Sequence, residues 1–244
     1  MQGGLERLPG QLQKSILQGL FPLRCPVCDG IVVPAGEKVC KTCAGKYRVV
    51  SQPYCLKCGK KIADDEPYCR DCQSGSHLFT RGRALYEYEE IAPAIYRLKY
   101  QGRQEYASFL GQELEVQLGD FIRQCAPDAI LPVPLHKNRQ RKRGYNQAAL
   151  LARELGTRMG IPVLENYILR TRDTQPMKQL KPKERQNNLK KAFIIKTNDV
   201  KLNTTMIVDD IYTTGATMDA MAEVLLDNGV QNVYFVALAA GTGI

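Results

Sequence analysis

The sequence predicts an α/β domain, a parallel sheet flanked by helices, behind a small N-terminal cysteine-rich module. Strand and helix patterns alternate from residue 84 to the end of the 244-residue chain, as they do in parallel sheets. One strand, Met206 to Val208, carries only apolar residues, which is typical of a strand buried on both faces. Eight of the nine cysteines fall between residues 25 and 72. We therefore expect an N-terminal segment (1–24), a cysteine module (25–73) and an α/β domain (81–244).

The N-terminal segment has the pattern of a short amphipathic helix between Leu5 and Leu23, interrupted at Pro9 and Gly10. No apolar run in the chain reaches the ~20 residues that a membrane helix needs. The N-terminus also lacks the profile of a secretory signal. These features predict a cytoplasmic protein without a membrane span.

The cysteine module contains four Cys-x-x-Cys pairs. They are Cys25 and Cys28, Cys40 and Cys43, Cys55 and Cys58, and Cys69 and Cys72. Two such pairs offer four thiolates to one tetrahedral zinc ion, so the four pairs predict two structural zinc sites with no position left for water. Pairing in sequence order is favoured, and a crossed pairing remains open. Disulfides are disfavoured because no secretory signal is present, and a redox role would need only one pair.

Two other residues with metal-binding or redox chemistry are interpreted as structural. Cys125 ends an apolar series at helical spacing and is expected in the core. His77 follows the last cysteine pair in a Ser/Gly-rich stretch. Because eight cysteines already complete two zinc sites, His77 is interpreted as a linker residue.

The α/β domain is expected to contain four helices and five strands. The helices are Ile91–Tyr100, Glu105–Cys125, Tyr145–Met159 and Met218–Asp227. The strands are Ala84–Tyr88, Ala129–Val133, Val163–Leu169, Met206–Val208 and Val230–Ala240. Residues 170–191 are polar and basic without periodicity, and a connection of that length predicts a functional loop or lid.

The strand Met206 to Val208 leads into the stretch that suggests chemistry. Asp209 and Asp210 follow it, and a loop then opens the next helix with Thr213, Thr214, Gly215, Ala216 and Thr217. Open α/β sheets bind ligands at the carboxyl ends of their strands, and a helix N-terminus binds anions. Since paired carboxylates accept hydrogen bonds from vicinal hydroxyls, the stretch predicts a site for a phosphorylated sugar. There are two alternatives. One is a core strand that ends in a polar turn with a helix cap. The other is an acid pair that binds a divalent metal, and this would leave the Thr-rich loop unexplained.

Positive charge is concentrated in one part of the chain. Between His136 and Lys191 there are 15 Lys or Arg residues against four Asp or Glu residues, in a chain of net charge +9. The residues from Lys137 to Gly144 are expected to form a basic loop that can hold a pyrophosphate or contact nucleic acid. A solvated basic surface is the alternative. Only Tyr145 and Tyr167 interleave with these charges, which predicts little base stacking.

The series from Met206 to Thr217 resembles the binding motif for 5-phosphoribosyl 1-pyrophosphate (PRPP) in type I phosphoribosyltransferases. The resemblance implies that fold for residues 81–244, with a double zinc ribbon in front of it. It further implies that Asp209 and Asp210 bind the ribose hydroxyls and that Thr213 to Thr217 wrap the 5′-phosphate.

Further stretches are similar to the ComF branch of that family. They are Pro132-Val-Pro-Leu135, Arg143-Gly-Tyr-Asn-Gln147, Leu98-Lys-Tyr-Gln-Gly-Arg103 and the four cysteine pairs. The similarity implies a pyrophosphate site at Pro134, Leu135, His136, Lys137, Arg143 and Gly144. It also implies a mobile loop in which Lys181, Lys183 and Arg185 stabilise the departing pyrophosphate together with Mg²⁺. Lys191 stands where the family tends to carry glycine.

Membership of that branch implies a role in DNA uptake and natural competence. The expected partners are PRPP, single-stranded DNA in the cytoplasm, a competence helicase and a recombination mediator. The alternative is a metabolic phosphoribosyltransferase that transfers the ribosyl group to a nucleobase or amine and releases pyrophosphate. The sequence leaves open whether the chain turns over a substrate.

Overall fold

The computed structural model describes residues 22–34, 36–63, 66–172, 192–196 and 200–241. Its main sheet has four parallel strands in the order β1 (Arg81–Glu87), β6 (Asn232–Ala240), β5 (Thr204–Tyr212) and β2 (Ala129–Pro132). A separate antiparallel pair joins β3 (Ile168–Arg170) and β4 (Phe193–Ile195). The helices are α1 (Arg70–Ser74), α2 (Tyr88–Tyr100), α3 (Tyr106–Cys125), α4 (Lys137–Arg143), α5 (Gln147–Met159) and α6 (Ala216–Asp227).

The sheet is covered on both faces, which is why its central strands are apolar. Along β5, Met206 and Val208 pack with α2, α3 and α5 on one face. Ile207, between them, faces the other side and packs with α6. This alternation follows from the two-residue period of a strand. Because all four strands are parallel, the carboxyl ends of β2 and β5 meet at one edge of the sheet.

The two cysteine ribbons contact the β1 side of the α/β domain. In the first ribbon, Asp29 Oδ1 accepts hydrogen bonds from Arg103 Nε at 3.1 Å and from Tyr106 Oη at 2.6 Å. The segment after this ribbon adds to the sheet edge, where Val50 N donates to Leu85 O at 2.8 Å. The second ribbon lies against the start of β1, where Gly82 N donates to Lys57 O at 2.8 Å. Cys55 and Cys58 of this ribbon belong to the same apolar core as α6.

Most expected elements are present with shifted ends, and two expectations are wrong. Residues 137–143 form the helix α4 and not a loop, with His136 as the N-cap and Gly144 as the left-handed C-cap. The expected strand Val163–Leu169 is divided. Val163 makes one parallel bridge to Ile130, and β3 turns away to pair with β4. The expected N-terminal helix lies almost wholly outside the described residues.

Among the residues that the structure describes, none of the helices combines the length and the apolar character needed to cross a bilayer. Cys125 is buried at the end of α3, which confirms its expected place in the core.

Candidate functional site

Two buried carboxylates lie at the carboxyl edge of the sheet. Asp209 and Asp210 extend β5 beyond the end of β2, which pairs no further than Val208. Asp209 is 9% exposed and Asp210 is 3% exposed. Lys99, near the end of α2, places Nζ 2.5 Å from Oδ2 of Asp210. The predicted acid pair is therefore buried beside one ammonium group that is 111 residues away in the sequence.

The proximity of these charges changes their affinity for protons. Burial, and then the adjacent Asp210 carboxylate, raise the pKa of Asp209 well above its ordinary value, although Lys99 opposes this. Burial also acts to lower the pKa of Lys99, but Asp210 and Asp209 outweigh burial and raise that pKa. Hydrogen-bond donors that approach the acid pair favour its charged form. The hydroxyl groups of a sugar are donors of this kind.

The loop after the acid pair leads into an uncapped helix N-terminus. Gly215 is the N-cap of α6 with φ of 84°, and its helix start receives no side-chain cap from the described residues. A Cβ at Gly215 would lie 2.7 Å from His77 Cε1 and 2.9 Å from Tyr212 Oη, so a larger residue does not fit. The predicted loop residues Thr213, Thr214, Ala216 and Thr217 surround this glycine. The uncapped N–H groups can hold a phosphate close to the acid pair.

His77 supports this loop, so its interpretation as a plain linker residue is wrong. Its buried ring places Nδ1 2.7 Å from Asp219 Oδ2, in the first turn of α6. Asp219 Oδ1 also accepts a hydrogen bond from Leu78 N at 2.9 Å. The ring stacks on Phe79 with 4.7 Å between centroids. The stretch that follows the second ribbon is thereby fixed to the candidate phosphate loop.

Tyr212 joins the same loop to the second ribbon. Its ring stacks on Phe235 at 4.7 Å, and the ammonium group of Lys60 lies 5.5 Å from the ring centroid. Burial, followed by the neighbouring sulfurs of Cys58 and Cys72, raises the pKa of Tyr212. The second ribbon therefore packs directly against the residue that precedes the Thr-rich loop.

The residues predicted for pyrophosphate lie around α4. Pro134, Leu135 and His136 form the connection from β2, Lys137 begins the helix, and Arg143 and Gly144 end it. Asn146 fixes this connection, because its Nδ2 donates to Val133 O at 2.9 Å and its Oδ1 caps α5 through Ala148 N at 3.0 Å. Arg143 donates to Gln147 Oε1. The predicted residues thus fall at both ends of one short basic helix.

A cationic cavity of about 480 Å³ opens between α2 and α4. Its lining consists of Lys99, Tyr100, Gly102, Arg139, Lys142, Arg143 and Tyr145. No carboxylate belongs to the described lining, and five of the seven residues of α4 are basic. Because Lys99 both lines this cavity and contacts Asp210, the cavity adjoins the acid pair.

The eight paired cysteines form two clusters that each bring four sulfurs together. Cys25, Cys28, Cys40 and Cys43 hold their sulfurs within 4.8 Å of one another, as do Cys55, Cys58, Cys69 and Cys72. A Zn–S bond of about 2.3 Å places the sulfurs of a tetrahedral site about 3.8 Å apart. The distances of 3.9 Å between Cys28 and Cys40 and 3.7 Å between Cys58 and Cys69 fit this value. Both clusters are structural zinc sites, and the pairs combine in sequence order.

Some predicted residues are not placed, and some important ones were not predicted. Lys181, Lys183 and Arg185 lie outside the described residues. The sequence assigns no role to Lys99, because its partner Asp210 is remote in the sequence. His77 is interpreted as a linker residue because eight cysteines already complete two zinc sites, and its partner Asp219 is equally remote.

Comparisons with known proteins match both parts of the chain. Residues 16–73 match the double zinc ribbon domain, and residues 141–242 match the phosphoribosyl transferase domain. Competence protein F of Haemophilus influenzae is 31% identical over 229 residues, which cover 91% of this chain and 99% of the relative. Competence protein ComFC of Bacillus subtilis is 28% identical over 233 residues, covering 86% and 92%. DNA utilization protein YhgH of Escherichia coli K12 is 31% identical over 216 residues, covering 87% and 94%.

These relatives align with both the cysteine ribbons and the α/β domain over most of their length. The resemblance drawn from the sequence motifs is thereby confirmed. The chain belongs to the ComF family of competence proteins, in which a double zinc ribbon precedes a domain of the type I phosphoribosyltransferase fold.

Proposed function

We propose that this chain binds PRPP with Mg²⁺ at the carboxyl end of β5 and that it acts in the handling of DNA taken up by the cell. The observation that carries the ligand assignment is the buried pair Asp209 and Asp210, directly followed by the uncapped start of α6. Vicinal ribose hydroxyls donate to the two carboxylates, and the 5′-phosphate accepts from the N–H groups at Gly215 to Thr217. An isolated acid pair or an isolated helix start would not explain both halves of the site.

The remaining parts of PRPP suit the basic residues nearby. The pyrophosphate group occupies the connection from Pro134 to Lys137, with Arg143 and Gly144 at the other end of α4. Mg²⁺ would be held there mainly by phosphate oxygens and water, the ligands that this ion prefers, and would neutralise part of the pyrophosphate charge. We assign Lys181, Lys183 and Arg185, which lie between residues 170 and 191 of the sequence, the role of further positive charge for the departing pyrophosphate.

The role in DNA handling rests on the relatives, which carry the names competence protein and DNA utilization protein. We infer a cytoplasmic protein that meets DNA as a single strand and works beside a helicase and a recombination mediator. The basic helix α4 supports this inference, since a polyanion requires concentrated positive charge on the protein.

A metabolic phosphoribosyltransferase is the second candidate. It is favoured by the occurrence together of both aspartates, the Thr-rich loop and the basic stretch of residues 170–191, since transfer of the ribosyl group would use all three. PRPP-dependent release of pyrophosphate that requires an added nucleobase or amine would establish this activity. Release that is absent with every acceptor would leave PRPP as a regulatory ligand.

Calorimetric titration of Mg²⁺ and PRPP into the zinc-loaded chain tests the ligand site. We expect binding by the wild type and loss of binding in the double variant Asp209→Asn/Asp210→Asn. Asp227→Asn, at the far end of α6, is the matched control and should bind as the wild type does. A folded, zinc-loaded wild type that does not bind PRPP would refute the assignment.

A further inference from the structure

We propose that Tyr96 and Tyr100 on α2, together with the basic residues of α4, form a binding surface for single-stranded nucleic acid, on which bases stack against the two rings. The proposal rests on the inferred role in DNA handling and assigns that role to one surface of the molecule. The sequence alone predicted little base stacking, since only Tyr145 and Tyr167 interleave with the basic residues. The fold brings two other tyrosines to those residues.

The first observation is the exposure of the two rings. Tyr96 is 56% exposed and Tyr100 is 65% exposed, although both are large side chains on a helix whose opposite face is buried. They lie one turn apart, and their ring centroids are 5.1 Å apart. More than half of each side chain is therefore open to solvent, and the two ring planes are tilted by 50° to one another. Exposed aromatic rings next to positive charge are the usual platform for unpaired bases.

The second observation is the positive charge beside the rings. The guanidinium of Arg143 lies 5.3 Å from the ring centroid of Tyr100, which is within the range of a cation–π contact. Tyr100 also lines the 480 Å³ cavity together with Arg139, Lys142 and Arg143. Phosphates that enter this cavity meet no carboxylate among the described residues of its lining. The stacking platform and the phosphate-binding charges are thus continuous.

This combination favours a single strand over the other polyanions available in a cell. A small anion such as pyrophosphate satisfies the cations of the cavity but does not use the exposed rings. A duplex satisfies the cations but keeps its base faces stacked inside the helix. A single strand offers both a phosphate every nucleotide and free base faces, so it alone uses both parts of the surface.

The test measures binding of fluorescein-labelled oligo(dT) of 20 nucleotides to the zinc-loaded full chain by fluorescence anisotropy. We expect Tyr96→Leu/Tyr100→Leu to weaken binding at least tenfold, since each of the two base stacks contributes about a fivefold or larger factor. Tyr96→Phe/Tyr100→Phe keeps the aromatic faces and should bind within about twofold of the wild type. Tyr88→Leu, in the first turn of the same helix, is the control and should also bind normally.

A salt titration tests the charged half of the surface. Lys142→Gln should reduce the slope of log K against log salt by about 0.7, the value for one phosphate contact on a single strand. The exposed Lys201 lies ahead of β5, and Lys201→Gln should leave the slope unchanged.

The outcomes separate this surface from the proposed function. A wild type that binds oligo(dT) while the leucine variant binds equally well would overturn the tyrosine platform and leave DNA handling in place. A wild type that does not bind oligo(dT) at all would overturn both the surface and direct DNA handling, whereas PRPP binding is measured independently by calorimetry. Loss of binding in the phenylalanine variant as well would show that the hydroxyls, and not stacking, bind the strand, and would also overturn the proposal.

Discussion

Replacement of Lys99 by methionine tests the charge balance of the acid pair. Lys99 contacts Asp210 at 2.5 Å, with side chains that are 17% and 5% exposed. Removal of one partner from a buried ion pair typically costs about 3–5 kcal/mol, and because Lys99 retains some contact with water we expect about 3 kcal/mol. For a chain of this size each kcal/mol lowers the melting temperature by about 2–4 °C, so the expected decrease is about 6–12 °C.

The effect of Lys99→Met should depend on pH in a defined direction. An acid whose pKa is raised by folding keeps its proton when the unfolded chain has already lost it, so the folded state loses stability as pH rises above the ordinary Asp pKa of about 3.9. The pKa of Asp209 is raised in this way, and Lys99 opposes the increase. Without Lys99, either one carboxylate of the acid pair binds a proton or the two carboxylates repel each other. The loss of stability should therefore be smaller at pH 5 than at pH 8.

Thermal unfolding of the zinc-loaded chain by far-ultraviolet circular dichroism measures both effects, since the sequence has no tryptophan to report on unfolding. Lys201→Met is the control for loss of an exposed lysine. The double variant Lys99→Met/Asp210→Asn removes the charge left behind and should regain most of the stability. The reasoning is refuted if Lys99→Met costs less than about 1 kcal/mol at pH 8, or if the double variant is no more stable than the single one.

Three further changes give distinct results. Asp209→Asn should raise the melting temperature at pH 7–8 because it removes a buried acid with a raised pKa, and the gain should vanish as pH falls through about 3.9; equal gains at every pH would contradict this. Gly215→Ala should destabilise by more than the ~1–2 kcal/mol of a left-handed residue, because its Cβ meets His77. Gly229 has a similar φ but open space around it, so Gly229→Ala should cost only the ~1–2 kcal/mol of a left-handed residue. Equal losses of stability in the two variants would refute the clash with His77. Cys58→Ser, in the second ribbon, should release one zinc and weaken PRPP binding in calorimetry. Cys28→Ser, in the first ribbon, should release one zinc and leave the affinity for PRPP unchanged. Weaker PRPP binding in Cys28→Ser than in Cys58→Ser would contradict the packing described for the second ribbon.

The parts of the fold that follow local patterns were predictable. β5, β6 and α3 carry long apolar or periodic runs, so their existence and type were evident, and only their ends shifted. The acid pair and its loop are evident in the sequence because the whole series from Met206 to Thr217 lies within 12 consecutive residues. α4 was missed because its sequence has no apolar stripe, although its caps, His136 and Gly144, are ordinary helix signals.

The missed features depend on residues that are distant in the sequence. β3 turns from the expected strand because it pairs with β4, and no pattern within residues 163–169 specifies that partner. Lys99 and His77 each acquire a role from one carboxylate that lies more than 100 residues later. The tyrosine pair is not evident from the sequence, because Tyr96 and Tyr100 lie well before the basic stretch and Tyr100 meets it only in the fold, at Arg143 of α4.

The second zinc ribbon contributes to the candidate ligand site through packing, although its zinc ion has no coordination position left for a substrate or water. Four thiolates fill the coordination sphere, so the zinc ion acts only by holding the ribbon folded. The folded ribbon supplies Cys58 and Lys60 beside Tyr212, and the stretch after it supplies His77 beside Gly215. By contrast, Cys25 and Cys43 of the first ribbon form a small apolar cluster of their own. The boundary near residue 73 therefore separates two sequence patterns. It does not separate two independent structural units, because residues on both sides of residue 73 pack against the loop that would hold the phosphate.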